Sequence, residues 1–229
     1  MVNAAIIATI PTRVTLVAVT KTLPASSIEE AYHSGIRHFG ENYVSEFAQK
    51  YANLPPEIKE DAIFHMIGHV QSRKVKKTVE LFDWVDSVDS VRLAKKLSEE
   101  ASRQGRPLSI LLEVNLTGET TKSGYDLAGW EKDAEKLNVF FQNIHAIQAF
   151  PALLISGLMT MPPAVGNPDD NRMIFRSLKK LSETIRKKHP AFGPALSMGT
   201  SQDYAVAIEE GATMVRLGKA LFGPRQLQK

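Results

Sequence analysis

The 229-residue sequence contains no cysteine. Disulfide bonds, thiolate nucleophiles and thiolate metal ligands are therefore excluded. A chain without disulfides suits the reducing interior of a cell, so we expect a cytoplasmic location and leave a mitochondrial fraction open.

The sequence also lacks a long hydrophobic run and a marked excess of one charge. No stretch approaches the roughly 18 consecutive apolar residues that span a bilayer, so no membrane partner is expected. Residues 1–13 have no basic n-region and are interrupted by Pro11, which makes them a poor secretory signal and favours a short, partly helical leader. The net charge of +3 comes from 28 basic and 25 acidic residues and does not indicate a nucleic-acid partner.

The sequence does contain a regular alternation of short apolar runs and segments of helical period. The run VTLVAVT at 14–20 is apolar on both faces, which is typical of a strand in a parallel sheet. We therefore predict an α/β protein, a (β/α)8 barrel in one domain over 14–229, with a doubly wound open sheet as the alternative. The predicted strands cover residues 14–20, 37–40, 62–67, 84–88, 108–116, 154–159, 195–198 and 213–217.

The helices between these strands are assigned from periodicity and end signals. The clearest has Ile174, Leu178 and Ile185 on one side and ends before Pro190. A helix is also predicted over 126–137, whereas 138–151 is apolar, weakly patterned and left without an assignment.

A lysine follows the first predicted strand. The working face of such a barrel is the carboxyl end of its strands, so Lys21 is expected at the mouth. Apolar surroundings favour a neutral amine, which can form a Schiff base with a carbonyl compound. The alternative is a lysine whose stem packs on apolar surface with its charge in water.

The loops after the last two strands are the recurrent phosphate site of this barrel. They contain Ser201 and Gly218-Lys219, with Arg216 inside the preceding apolar strand. Such an arginine must point into a ligand site or find a buried partner. The alternative for Ser201 is a helix cap, and for the glycines a role in turns only.

Three further features have two interpretations each. Asn42 follows the second strand and either lies at the mouth or caps a helix. His65 and His69 are spaced for a metal, but no third ligand is near them in sequence, and no metal is predicted. The basic run at 73–77 indicates either a nucleic-acid surface or a solvated helix face, and we favour the second.

The order of several motifs resembles the pyridoxal phosphate homeostasis proteins, single-domain relatives of the barrel domain of bacterial alanine racemases. The resemblance extends over about residues 14–225. It is carried by VAVTKTLP, FGENYVSE, HMIGHVQSRK, VDSVDS, KSG, GLMTM and LSMGTSQDYAVAIEEGATMVRLGKALFG, in that order.

The resemblance implies that pyridoxal 5′-phosphate is held as a Schiff base on Lys21. It also implies that Ser201, Gly218 and Lys219 hold the phosphate and that Arg216 faces the pyridine nitrogen, which weakens the ring as an electron sink. The remaining cofactor-lining positions match Asn42, Met159 and Ser197. No catalytic residue is assigned.

Three features depart from the family pattern. Thr200 stands where many relatives have methionine, and it is predicted to add a hydroxyl near the phosphate. Arg73 replaces the usual asparagine. The leader is shorter than the helix that most relatives have there, so we expect one face of the barrel to be less covered.

The resemblance implies a protein that buffers pyridoxal phosphate or delivers it to apo-enzymes, with no or marginal catalysis. We expect a monomer. The related racemases use a tyrosine from a separate domain as a second base, and this sequence ends soon after its eighth predicted strand. The alternatives are a pyridoxal-phosphate-dependent amino-acid racemase or Schiff-base aldolase on the same barrel, and an RNA-associated protein.

Overall fold

The computed structural model describes residues 2–224, and within them eight parallel strands form a closed barrel. The sheet runs in the order β4-β3-β2-β1-β9-β8-β7-β5, and pairing of β4 with β5 closes the ring, which confirms the predicted (β/α)8 barrel over the open sheet. The short strand β6 pairs with β5 outside this ring. The strands are β1 Thr15–Val19, β2 His38–Glu41, β3 Ile63–Met66, β4 Trp84–Val88, β5 Leu108–Asn115, β6 Tyr125–Asp126, β7 Leu153–Met159, β8 Ala195–Ser197 and β9 Met214–Leu217.

Helices surround the barrel and connect successive strands, as the alternation in the sequence predicts. Three short 3₁₀ turns, Ser72–Lys74, Trp130–Lys132 and Pro168–Asn171, precede helices. The α-helices are α1 Ala4–Thr9, α2 Ala25–His33, α3 Val44–Asn53, α4 Pro56–Asp61, α5 Val75–Leu81, α6 Val91–Gln104, α7 Ala134–Gln148, α8 Arg172–Lys188, α9 Tyr204–Glu209 and α10 Lys219–Phe222.

The predicted helix over 126–137 is wrong in position. Residues Tyr125 and Asp126 form the strand β6 and extend the sheet. Gly129 has φ of +68°, a left-handed conformation that an α-helix does not contain, so no α-helix runs through this segment. The helix α7 begins after Asp133, whose side chain accepts a hydrogen bond from the Lys136 N–H and caps it. Most of the unassigned segment 138–151 therefore belongs to α7.

The core has two parts, which follow from the alternation of side chains along each strand. Val17 faces the inside of the barrel, while its neighbour Ala18 faces the layer between strands and helices. The inner cluster consists of the buried residues Val17, Leu111, Met159 and Met214. The larger outer cluster joins the strands to the apolar stripes of the helices.

The leader packs against the barrel. The Asn3 N–H donates a hydrogen bond of 2.9 Å to the carbonyl oxygen of Leu221, and Ile6 and Ile7 contact the outer core. The partly helical character expected of residues 1–13 is present as α1. The boundary drawn between leader and barrel at residue 14 stays a prediction. Among residues 2–224, no helix has the length and apolar content needed to cross a membrane.

Candidate functional site

The predicted site residues lie at or just beyond the carboxyl ends of the strands. This placement follows from parallel pairing, because all eight strands of the ring point the same way. In chain order, the residues are Lys21 after β1, Asn42 after β2, Met159 at the end of β7, Ser197 at the end of β8, Ser201 in the next loop, Arg216 in β9, and Gly218 and Lys219 directly after β9.

The strand order brings the first and the last strand of the barrel together. The first strand lies beside the last, with Val17 paired to Arg216 and Ala18 to Leu217. Strand β8 pairs with the other side of β9. Lys21 therefore leaves the barrel next to the loop that contains Gly218.

The backbone on both sides of Lys21 is held by charged side chains. The hydroxyl of Thr20 donates a hydrogen bond of 2.8 Å to Oε1 of Glu41, and the Thr20 carbonyl accepts one of 2.8 Å from Nζ of Lys50. On the other side, the Thr22 N–H donates to Oε1 of Glu46 at 2.6 Å. Thr22 has φ of +63°, an unfavourable conformation for a β-branched residue. This strain marks the Lys21 turn as a constrained element.

The three charged residues form one network under this turn. Nζ of Lys50 lies 2.8 Å from Oε1 of Glu41 and 2.6 Å from Oε1 of Glu46. Glu41 and Lys50 are buried, and burial raises the pKa of Glu41 while the charge of Lys50 opposes the rise. Oε2 of Glu41 is buried and has no hydrogen-bond partner among residues 2–224.

Lys50 was not predicted from the sequence. It lies on the same face of α3 as the buried residues Val44 and Phe47, at spacings of three residues. A lysine in an apolar stripe is a usable signal for a buried ion pair.

Asn42 does not cap the helix that follows it. The N-cap position of α3 is Tyr43, so the alternative that Asn42 caps this helix is wrong. A Cβ atom at Gly68 would overlap the backbone of Asn42, so the loop after β3 packs directly against Asn42.

Arg216 lies in β9 and is 3 % exposed. Its guanidinium donates hydrogen bonds to Oγ of Ser197 at 2.6 Å and to the carbonyl of Thr160 at 2.9 Å. Burial lowers the pKa of Arg216, and the carboxylates of Asp86, Glu113 and Asp203 oppose this effect. The buried partners are thus neutral acceptors, with the balancing negative charges farther away.

Glu113 is a titratable group that was not predicted from the sequence. It lies in β5, in register with Met159 of the inner cluster, and its cavity of about 210 Å³ also contacts Lys122 and Met161. Burial, with the nearby charge of Asp89, raises the pKa of Glu113 to about 7. A glutamate within the apolar run LSILLEVNL was the available signal.

Ser201 connects the loops that follow β8 and β9. Its Oγ accepts hydrogen bonds from the N–H groups of Gly218 at 3.2 Å and Ala220 at 3.0 Å. The helix after this loop, α9, has Asp203 at its N-cap position, so the alternative that Ser201 caps it is wrong. Oγ of Ser201 instead accepts hydrogen bonds from N–H groups at the start of α10.

Two neighbours complete this loop. Gly199 has φ of +90°, and a Cβ atom there would lie 2.6 Å from Cβ of Ala207, so the turn requires glycine. The N–H and hydroxyl of Thr200 both donate to Oδ1 of Asp203, at 2.7 and 3.0 Å. The departure at Thr200 therefore supplies a hydrogen bond within the loop.

The two histidines of the third motif do not converge. His65 is buried inside the barrel with Nδ1 3.0 Å from Oδ1 of Asp86, whereas His69 is 60 % exposed beside Asp89. No group of three or more potential metal ligands occurs among the described residues. In the basic run, Val75 is buried and Lys77 pairs with Glu80.

This closed barrel, with its lysine beside the last strand, defines an alanine-racemase-type barrel protein. The family model for the alanine racemase N-terminal domain matches residues 3–226. The alanine racemase of Clostridium difficile is 13% identical with a TM-score of 0.73, covering 96% of this chain and 55% of that one, which shows the shared fold.

Sequence relatives narrow the class. The pyridoxal phosphate homeostasis protein of Synechocystis is 39% identical over 220 residues, which are 96% of this chain and 95% of the relative. The one of Vibrio alginolyticus is 38% identical over 216 residues, or 94% and 88%. PipY of Synechococcus elongatus, solved with pyridoxal phosphate bound, is 34% identical with a TM-score of 0.83, covering 96% and 97%. The chain belongs to the pyridoxal phosphate homeostasis protein family, which confirms the resemblance.

Proposed function

We propose that this protein binds pyridoxal 5′-phosphate on Lys21 and holds it reversibly for pyridoxal-phosphate-dependent apo-enzymes in the cytoplasm, as a monomer, with no or marginal catalysis. The observation that carries the proposal is the pairing of β1 with β9, which puts Lys21 beside the loop that contains Gly218. A lysine amine and a set of phosphate donors are the two features that this cofactor needs.

The loop residues fit a phosphate group. Two backbone N–H groups, of Gly218 and Ala220, already point at one oxygen atom, Oγ of Ser201. The Ser201 hydroxyl and these N–H groups are donors of the type that bind phosphate oxygens. Lys219, between Gly218 and Ala220 in the chain, is exposed and adds positive charge to this loop.

The residues around the ring position also fit an aromatic cofactor. Arg216 is a donor that stays charged, and such a group holds a pyridine nitrogen in its unprotonated, accepting state. Ser197 and Thr160 accept hydrogen bonds from the guanidinium, and Met159 is buried in the inner cluster. Asn42 lies at the end of β2 on the same rim.

The proposed binding chemistry is reversible. When bound, the cofactor supplies an aldehyde that condenses with an amine and releases water. The turn around Lys21 presents that amine in one geometry, because Glu41, Glu46 and Lys50 hold the backbone of its neighbours. A weakened electron sink opposite Arg216 favours holding the cofactor over turnover of amino acids.

The test is the visible absorbance of the purified protein after addition of pyridoxal phosphate and gel filtration. We expect a yellow band in the wild type, loss of that band in Lys21→Ala, and retention in the control Lys95→Ala, which changes an exposed lysine on α6. A colourless wild type, or an unchanged band in Lys21→Ala, contradicts the proposal.

Delivery is tested with an apo-enzyme of known pyridoxal-phosphate dependence. The loaded protein, freed of unbound cofactor, is expected to restore activity to the apo-enzyme, and loaded Lys95→Ala is expected to do the same. If the apo-enzyme stays inactive while the yellow band persists, binding stands and delivery fails. Sedimentation of the loaded protein tests the monomer.

One observation favours the alternative of a racemase or aldolase. With its pKa near 7, Glu113 can hold or release a proton at the barrel mouth at neutral pH. Incubation with single amino acids, followed by chiral chromatography, separates the two functions. Rapid racemisation or aldol cleavage that is lost in Glu113→Gln would favour the enzyme.

A further inference from the structure

A cleft of about 410 Å³ lies at the opposite end of the barrel from the candidate site. It is lined by the first residues of several strands, including His38 of β2, Trp84 of β4 and Met214 of β9. Its volume lies within the range of small-molecule sites, which combine apolar walls with a few convergent polar groups. Nothing in the cofactor proposal uses this end of the barrel.

A chain of hydrogen bonds leads from the barrel interior to this cleft. Oδ1 of the buried Asp86 lies 3.0 Å from Nδ1 of His65, and Nε2 of His65 lies 3.0 Å from Nδ1 of His38. The carboxylate of Asp86 can only accept, so Nδ1 of His65 carries the hydrogen. In the tautomer that places this hydrogen on Nδ1, the Nε2 atom of His65 is an acceptor, and it receives the Nδ1–H of His38.

This chain determines what His38 offers to the cleft. Burial lowers the pKa of His38 to about 4, so the ring is neutral at physiological pH. Its Nδ1 carries the single hydrogen, which leaves Nε2 as a hydrogen-bond acceptor. A ligand that matches His38 must therefore bring a hydroxyl or N–H donor.

The other walls supply apolar surface and one positive charge. The rings of Trp84 and His65 are in contact, with centroids 5.2 Å apart and planes tilted by 32°, and Leu154 at the rim is 60 % exposed. Arg13 lies at the lip and makes no ion pair with any residue of the described range 2–224. An exposed arginine beside an apolar cleft is suited to a carboxylate.

We propose that this cleft is a second binding site, for a small aromatic carboxylic acid that carries a hydroxyl or N–H donor. The donor bonds to Nε2 of His38, the ring packs against Trp84 and Met214, and the carboxylate pairs with Arg13. The site is independent of pyridoxal phosphate.

The test uses 4-hydroxyphenylacetate as the probe and the indole N–H signal of Trp84 in heteronuclear NMR at pH 8. The chain has two tryptophans, and Trp130, which donates to Ser177, is the internal control. We expect saturable shifts of the Trp84 signal and none of the Trp130 signal. Phenylacetate, which lacks the hydroxyl, is expected to bind about tenfold more weakly, and tyramine, with a cation in place of the carboxylate, at least as weakly.

Two pairs of variants separate the cleft from a general surface effect. Arg13→Gln is expected to weaken the probe at least fivefold, whereas Arg92→Gln, an exposed arginine on α6, leaves it unchanged. Leu154→Trp fills the cleft and abolishes the Trp84 shift, whereas Met173→Trp, at an exposed position on α8, does not. All four positions are exposed, so these variants are expected to fold.

The proposal is overturned if millimolar probe leaves the Trp84 signal unchanged, or if tyramine binds as well as the acid. It is also overturned if Arg13→Gln and Arg92→Gln bind the probe equally. Shifts of Trp84 that follow protein concentration without probe would assign the cleft to a second copy of the chain and reject the small-molecule site.

Discussion

Nζ of Lys50 donates a hydrogen bond of 2.8 Å to Oε1 of Glu41, and both side chains are buried beneath the Lys21 turn. The same nitrogen bonds to the carbonyl of Thr20. Through Lys50, helix α3 thus bonds to the backbone at the end of β1, directly before Lys21. The buried ion pair therefore supports the candidate site as well as the fold.

Replacing Lys50 by methionine is expected to lower the free energy of unfolding by about 3 kcal/mol, because Glu41 is left buried without its counter-charge. Urea denaturation measures the change. The control Lys95→Met breaks an exposed pair with Glu99 at 3.9 Å and is expected to change stability by less than about 0.5 kcal/mol. Equal effects of the two substitutions would show that the buried pair contributes nothing special. Adding Glu41→Gln to Lys50→Met is expected to restore part of the loss.

Glu113 is expected to make stability depend on pH. Its pKa in the folded protein is about 7, above its ordinary value of 4.5, so the folded state binds this proton more tightly than the unfolded state. The stabilisation is complete below about pH 4.5 and is lost as the pH rises through 7, by about 3 kcal/mol in total.

Glu113→Gln removes this dependence. The variant should match the wild type at pH 4 and exceed it by up to about 3 kcal/mol at pH 8 in chemical denaturation. The control Glu99→Gln, at an exposed position, should follow the wild type at both values. A wild-type pH slope in Glu113→Gln would contradict the raised pKa.

Gly199→Ala is expected to lower the free energy of unfolding by about 2 kcal/mol and to weaken retention of pyridoxal phosphate. The new Cβ would lie 2.6 Å from Cβ of Ala207, in a conformation with φ of +90°. Thermal unfolding and the absorbance of the loaded protein measure the two effects. Gly166→Ala is the matched control, since a Cβ there meets no atom within 4 Å. Unchanged stability and cofactor retention in Gly199→Ala would contradict the close approach.

Thr22→Gly is expected to raise the free energy of unfolding by about 1 kcal/mol, because glycine adopts φ of +63° without the strain of a β-branched residue. The Thr22 side chain is exposed, so little packing is lost. Urea denaturation measures the gain, with Thr121→Gly in an exposed loop as the control. If Thr22→Gly is destabilised as much as the control, the turn stores no strain.

Much of the fold was predictable because buried parallel strands leave a local signature. The strand predicted over 84–88 coincides with Trp84–Val88, and the ends of the other predicted strands agree to within one residue. The helix over 126–137 was misplaced, because β6 forms only by pairing with Val114 and Asn115 of β5. No local pattern in Tyr125–Asp126 shows that partner.

The candidate site was also predicted only in part. Lys21, Ser201 and Arg216 were predicted, because each stands at a strand end or inside an apolar strand. Lys50 and Glu113 were missed, although each interrupts an apolar pattern. Their significance depends on partners from other elements, Glu41 from β2 and Asp89 after β4.

The sequence by itself determined the alternation of strands and helices, and with it a barrel whose polar strand ends share one rim. Local periodicity is sufficient for this, because parallel pairing orients every strand alike. Only the tertiary structure decided which side chains meet across that ring. Thr20 meets Glu41 and Lys50, and His38 meets Asp86 through His65, because closure of the barrel brings together residues that lie far apart along the chain. Burial then changes their pKa values and hydrogen-bonding roles, which no local pattern specifies.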